Sequence, residues 1–325
     1  MSPTHMKDPT SFYGKTNAQV LLLATPEFSD IKRLRGHGAG RSEPRVHDFA
    51  IKPEFKQIDG KSIRFARGGN SEGATILMLC PLPQSILCFD AIWRHLEADF
   101  NLVALDLPGF GRSEGGLEVM SFEAQSAFLE KFVADQALEN FHIVGPDVGM
   151  AVGLHYVMHR EHKATSLLVG DGPGILPTAN GSIINKAVDS AFWRALFPIA
   201  GAGAFVGGAY QLACLNYVPS HAEVDDYIAS YDGGRIGPVC HWFKTYPENL
   251  ATTDPYLENL ELPVQLFWGD KDVFLTTDNA KRLDQRIPRS QLKIFDHCGH
   301  FSYQDKADEF AVMVRDWVSG GYQQI

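Results

Sequence analysis

From about residue 54 the hydrophobic pattern resolves into short, regularly alternating elements. Residues 55–58 and 62–66 read as two strands, with Asp59-Gly60 between them as a hairpin turn. Residues 74–80 form a continuous apolar run, which suits a parallel strand buried on both faces. A helix over about 86–99 precedes a strand at 102–106, and a helix over about 122–136 precedes a short apolar strand at 141–144. Residues 167–171 give another buried strand. The alternation then stops. From about 172 to 261 the pattern is helical, rich in aromatic and small residues, with no strand in it. Strand and helix return at 264–268, 292–295 and about 306–318. The pattern therefore predicts an α/β fold with a mostly parallel central sheet flanked by helices. Its core spans 53–171 and 262–325, and the helical insertion 172–261 forms a cap over the carboxyl ends of the strands, where open sheets bind ligands. Residues 1–52 are poorly patterned and read as an N-terminal extension over the surface or without fixed structure.

One stretch organises the chemistry. Gly145-Pro146-Asp147-Val148-Gly149 joins the strand at 141–144 to an apolar helical run beginning at Met150. A strand turning sharply into a helix around Gly-x-Asp-x-Gly has the shape of a nucleophile elbow, which lifts the central side chain above the sheet edge. Glycines flank it because a Cβ there would collide with the neighbouring strand and helix. The plainer reading is an ordinary turn with Asp147 as helix N-cap.

Composition narrows the field of partners. The chain has 325 residues, a formal net charge of −10 and 21% charged residues, which argues against nucleic acid and anionic membranes. Its five cysteines, Cys80, Cys88, Cys214, Cys240 and Cys298, show no metal spacing and read as reduced buried thiols of a cytoplasmic protein. The run Val20-Leu21-Leu22-Leu23-Ala24 is too short and too late for a signal peptide, and no run approaches a membrane span. Lys32, Arg33, Arg35 and Arg41, set among Gly36, Gly38 and Gly40, read as a solvated face rather than a targeting signal.

Three further stretches complete a pattern of four with the elbow: Asp106-Leu107-Pro108-Gly109-Phe110-Gly111-Arg112-Ser113 before it, and Trp268-Gly269-Asp270-Lys271-Asp272 and Cys298-Gly299-His300-Phe301 after it. In this order they resemble an α/β-hydrolase with a cap domain, over about residues 54–317. Asp in the elbow places the resemblance nearest the epoxide hydrolases and haloalkane dehalogenases. The resemblance implies Asp147 as nucleophile, His300 as base and Asp272 as the acid that orients it. Asp171, at the end of the strand after the elbow, and Asp270 are the rival acids; His297 is the rival base. It also implies backbone donors at Leu82 and Val148 as the oxyanion hole. Here the chain departs from the family, with Cys80-Pro81-Leu82-Pro83 where His-Gly-x-Pro is usual. Leu82 keeps its N–H, but Cys80 and Pro81 cannot reproduce the loop-bracing contacts of His and Gly.

An Asp nucleophile narrows the chemistry. Attack on an ester carbonyl would give a reactive anhydride, whereas attack on saturated carbon gives an alkyl ester that water can cleave. That favours epoxides and alkyl halides. An epoxide oxygen needs a proton, typically from a cap tyrosine; a halide needs N–H donors, typically tryptophan. Tyr246 sits about where epoxide hydrolases carry a ring-opening tyrosine, with Tyr210 or Tyr217 as candidates for a second. Trp193 and Trp242 keep the halide reading open, although Val148 replaces the tryptophan that often follows the dehalogenase nucleophile. The expected protein is a cofactor-independent hydrolase acting on a small, mainly apolar molecule through a covalent ester, with epoxide hydrolysis first, dehalogenation or another C–O or C–C cleavage second. A catalytically silent binding protein with the same pocket is the alternative of another class. No metal, nucleic acid or membrane partner is expected, and the reading allows a homodimer. The glycine-rich 201–208 lacks the Lys-Ser/Thr and the strand of a phosphate loop, and His155 and His159 lack the Glu of a zinc motif; both read as structural.

Overall fold

Asp59 and Gly60 close the first hairpin with φ of 52° and 73°, the left-handed pair that matches strand twist. They join β1 (Glu54–Ile58) to β2 (Lys61–Gly69) in a computed structural model that describes residues 27–34, 48–176 and 183–325. Six more strands follow: β3 (Thr75–Leu79), β4 (Asn101–Leu105), β5 (Phe141–Pro146), β6 (Ala164–Gly170), β7 (Val264–Gly269) and β8 (Ser290–Phe295). They form one eight-stranded sheet in the order β1-β2-β4-β3-β5-β6-β7-β8. Pairing is antiparallel for β1 with β2 and β2 with β4, and parallel from β4 to β8. The central strands are buried on both faces, which is why their sequences are continuous apolar runs rather than alternating ones.

A short helix α1 (Glu27–Leu34) buries Ile31. Then come α2 (Asp90–Leu96), α3 (Phe122–Asp135) and α4 (Val148–His159). The helix expected over 86–99 is divided. Residues Ile86–Phe89 wind more tightly as a 3-10 turn, because Asp106 Oδ1 takes the Ile86 N–H at 2.7 Å and Ser85 Oγ takes that of Leu87 at 3.3 Å. Helix α4 is buried all round, so it packs at the centre of the molecule and carries no amphipathic signal.

Between β6 and β7 the described residues contain helices and no strand: α5 (Ile183–Asp189), α6 (Ala191–Ala200), α7 (Ala202–Ala213), α8 (His221–Tyr231), α9 (Ile236–Lys244) and α10 (Tyr246–Thr253). Gly201, at φ 87°, turns α6 into α7 through 111°, so the glycine-rich stretch is a helix corner. The cap is fastened to the sheet by a buried arginine: Arg64 of β2 grips Asp226 of α8 at 3.0 and 2.9 Å. Bidentate pairing of this kind fixes orientation as well as distance. The chain ends with α11 (Thr277–Arg286), α12 (Ser302–Asp305) and α13 (Ala307–Val318). The mostly parallel sheet, its flanking helices and the helical insertion match the architecture expected from the sequence.

All five cysteines are buried free thiols. His155 and His159 hydrogen-bond Ser126 and the Thr252 carbonyl, each at 2.8 Å, and no cluster of metal-ligating side chains occurs among the described residues. Among those residues no single helix is long and apolar enough to cross a membrane. Val20–Ala24 as a run, together with Arg35, Gly36, Gly38, Gly40 and Arg41, lies outside the described residues.

Candidate active site

The elbow is built from contacts that only glycine allows. A Cβ on Gly145 would lie 2.6 Å from the Gly149 carbonyl oxygen, and one on Gly149 would lie 3.0 Å from that of Leu79. Between them Asp147 adopts φ 51° and ψ −120°, a conformation that costs a non-glycine residue on the order of 1–3 kcal/mol. Its carboxylate makes no capping bond to α4. The side chain faces a cavity instead, so the N-cap reading fails on geometry.

His300 stands opposite, with Nε2 3.9 Å from Asp147 Oδ1. That gap is too long for a hydrogen bond, so Nε2 is not committed to the carboxylate. On its other side Nδ1 meets Asp272 Oδ2 at 2.8 Å. Asp272 Oδ1 in turn accepts the N–H groups of Phe274 at 2.8 Å and Leu275 at 3.1 Å, so both its oxygens are committed. The rivals sit elsewhere. Asp171 accepts the Gly269 N–H at 3.0 Å and makes a short contact with the Ser302 hydroxyl. Asp270 accepts the Cys298 N–H at 3.0 Å, and His297 is exposed.

Asp147 Oδ2 takes the Leu82 N–H at 2.7 Å, and the Val148 N–H also acts on this carboxylate. The two expected donors therefore converge although Cys80 and Pro81 replace His and Gly. Cys80 Sγ supports the loop by accepting the Leu107 N–H at 3.2 Å.

Above the carboxylate lies a cavity of about 80 Å³, lined by Leu82, Pro83, Asp147 and His300 below and by Phe197, Phe205 and neighbouring cap residues above. At about 10–15 Å³ per water-sized group, it takes a compact molecule of roughly six such groups. Apart from Asp147 and His300 its lining is apolar, with no cationic side chain. Tyr246 is buried and, like the other tyrosines, is not among the residues lining the cavity; the charge of Asp147 acts on its phenol, and its oxygen accepts the Trp242 indole N–H at 3.0 Å. Tyr210 does not line the cavity; its hydroxyl donates to Gln304 at 2.8 Å and meets the Gln84 amide. Tyr217 donates to Glu223 at 2.5 Å, and Trp193 is half-buried on α6 with Lys186 5.7 Å over its ring.

Burial and neighbouring charge tune these groups against one another. Desolvation pushes the Asp147 carboxyl up to about 6, opposed by His300 and the Leu82 and Val148 N–H groups. For His300 desolvation works downward, but Asp272, Asp147 and Asp171 outweigh it and raise the imidazole to about 9. Asp171 is pushed upward from the usual carboxylate value by burial first and by the charge of Asp272 second. Tyr246 is held protonated by burial first and Asp147 second.

Two functional supports escape the sequence reading. Asp305 gathers the N–H groups of Leu215, Asn216, Tyr217 and Gly299, at 2.8 to 3.1 Å, tying the cap base to the loop of His300. Gln84 is the second. Neither carries a motif; both are recognisable only once the chain is folded.

Comparison with known proteins agrees with this fold. The model of the alpha/beta hydrolase fold family matches residues 75–307. A curated relative, the dihydrolipoyllysine-residue acetyltransferase component of the acetoin cleaving system of Cupriavidus necator, is 22% identical over 311 residues, covering 92% of this chain and 78% of its own. Among solved structures, epoxide hydrolase CorEH superposes with a TM-score of 0.70 at 18% identity, covering 83% of this chain and 99% of that one. A loop variant of haloalkane dehalogenase DbeA from Bradyrhizobium elkanii gives 0.71 at 17%, with 84% and 98% covered. At such identities the structural likeness speaks for the fold alone, and the chemistry must be argued from the site.

Proposed function

The chain belongs to the α/β-hydrolase fold family, and from that premise we propose that it is a hydrolase that opens small apolar epoxides through an ester on Asp147. The observation that carries this reading is a carboxylate in the elbow, with its Oδ2 on the Leu82 N–H at 2.7 Å and its Oδ1 facing His300 across 3.9 Å. Oδ1 attacks a ring carbon, the C–O bond breaks, and the alkoxide takes the phenolic proton of Tyr246. Water then attacks the ester carbonyl while His300 Nε2 takes its proton. Oδ2 carries the charge of that step in the hole formed by Leu82 and Val148. Collapse releases a diol, and the proton on His300 returns to the Tyr246 oxygen through solvent. Each step uses groups of this chain and water.

The leaving atom decides between the two neighbouring chemistries. Trp242 spends its N–H on Tyr246, so the phenol oxygen is occupied as acceptor and its proton is free to give. The cavity lining holds neither tryptophan nor tyrosine, so the preference for epoxides rests on the phenolic proton of Tyr246, on which the charge of Asp147 acts. Acyl transfer, which the Cupriavidus relative's name suggests, would require an acyl–Asp147 anhydride and fits poorly. Apart from Asp147 and His300 the lining is apolar, which favours neutral substrates over carboxylates.

Tyr246→Phe is expected to slow ester formation about a hundredfold and leave the fold intact. Stopped-flow measurement on a small terminal epoxide checks this. Full activity with halide release from an alkyl halide in the variant would replace the epoxide reading.

The same scheme fixes a pH dependence. Asp147 attacks only when ionised, so kcat/KM falls as pH drops through about 6. Hydrolysis needs neutral His300, raised to about 9 in the resting enzyme partly by Asp147. Esterification removes that negative charge, so the imidazole loses a proton more easily in the intermediate. The rising limb of kcat, where hydrolysis limits, therefore lies below about 9. Separate pH profiles of kcat and kcat/KM measure both limbs; a kcat/KM flat from about 5 to 7 would remove Asp147 as an ionised attacker.

A further inference from the structure

The chain lacks the His-Gly pair at the oxyanion loop and still delivers the Leu82 N–H to Asp147 at 2.7 Å. Something else must hold the loop. Pro81 contributes only its carbonyl, which accepts the Gln84 N–H at 3.2 Å. Gln84 itself is fully buried, two residues beyond Leu82, and its amide is occupied on every side. Its Nε2 donates to Gln304 Oε1 at 2.6 Å and to the Tyr210 hydroxyl, and its Oε1 accepts the Tyr303 hydroxyl. Its backbone carbonyl accepts the Tyr231 hydroxyl at 3.0 Å. Tyr210 and Tyr231 belong to cap helices α7 and α8, whereas Tyr303 and Gln304 belong to α12, directly after His300. One amide thus joins the oxyanion loop, the cap and the base-bearing segment.

We propose that Gln84 is the positioning residue of the oxyanion loop, its side-chain amide setting where the Leu82 N–H meets the Asp147 carboxylate. It touches no reacting atom and acts through Leu82. Buried polar groups satisfied this completely specify one arrangement, and loss of a member leaves the others unpaired and free to shift. This assignment rests on Asp147 and Leu82 forming the site, but not on the identity of the substrate.

A readout follows that a merely stabilising residue would not move. The Leu82 N–H favours the ionised form of Asp147. Displacing it must therefore raise the carboxyl above its value of about 6, while the other groups facing it, His300, Asp272, Tyr246 and Tyr303, stay in place. The probe is the full chain labelled with 13C at aspartate carboxyls, with the Asp147 resonance identified by its absence in Asp147→Asn. Gln84→Met, similar in shape but unable to hydrogen-bond, is expected to move the Asp147 midpoint up by about one pH unit, tenfold in the ionised fraction below it. Tyr303→Phe, which removes only the hydroxyl donating to Gln84, is expected to move it the same way by less. A folded Gln84→Met whose Asp147 titrates like the wild type overturns the proposal. If Gln84→Met does not fold, an unmoved midpoint in Tyr303→Phe overturns it and a raised one supports it. No substrate enters the measurement, so a wild-type protein inert toward epoxides would sink the proposed reaction without touching this result.

Discussion

Replacing Asp272 by Asn is expected to reduce turnover roughly 10²–10⁴-fold while leaving ester formation within a few-fold of wild type. The reason lies in the two N–H groups on its Oδ1, from Phe274 and Leu275. An asparagine here satisfies them with its carbonyl oxygen, so its NH2 must face His300 Nδ1. That reverses the tautomer: Nδ1 becomes the acceptor, and the proton moves to Nε2, the atom that must accept one from water. The loss of charge also lowers the imidazole from its raised value of about 9, because Asp272 is the largest of the upward influences on it. Asp171→Asn should behave differently. Asp171 is held by Gly269 and Ser302 rather than by the imidazole Nδ1, and an amide of the same shape can occupy that place with little change. Rapid-quench measurement of ester and product in both variants separates the two. Accumulated ester in Asp171→Asn, and none in Asp272→Asn, would move the orienting role to the end of β6.

Much of this arrangement could be seen in the sequence for a local reason. Gly145 and Gly149 are dictated by contacts within a few residues of Asp147, so the elbow is written as a compact motif. The loop holding Asp272 follows a buried apolar strand, and that holding His300 follows an edge strand of alternating exposure; the hydrophobic pattern places both. Deciding between Asp272 and Asp171 needed more. Both end strands in the expected region, and only the folded backbone shows one beside Nδ1 and the other beside Ser302.

The cap was less accessible. Which tyrosine faces the nucleophile depends on the rotation of each cap helix, and aromatic residues cover those helices almost uniformly. The charge of Asp147 acts on Tyr246, whereas Tyr210, equally suitable by sequence, is turned into the network around Gln84. Trp193 and Trp242 show the same limit: one is half-buried on α6 away from the cavity lining, the other is committed to Tyr246. The substituted loop at Cys80-Pro81 was a departure from pattern with no visible remedy, because its supports come from residues 210, 231, 303 and 304. Polar networks assembled from distant segments carry no periodicity for a sequence reading to find.

His300→Ala carries the largest expected consequence, because it divides the two halves of the reaction. In the wild type Asp147 is ionised above about pH 6 and needs no general base to attack carbon. Only the later attack of water on the ester needs the imidazole, whose Nε2 lies 3.9 Å from Asp147 Oδ1. The variant should therefore consume one equivalent of a small apolar epoxide and stop, with multiple turnover lost almost entirely. Removing a raised, positively charged neighbour also lifts the Asp147 carboxyl further, so the single turnover should be run above pH 7 or so. The decisive measurement is the mass of His300→Ala after mixing with a substrate that the wild type turns over. An increase equal to the whole epoxide, mapped to the peptide bearing Asp147, is the predicted result. A variant that retains its original mass while releasing diol would contradict it, and would make Asp147 a base for direct attack by water.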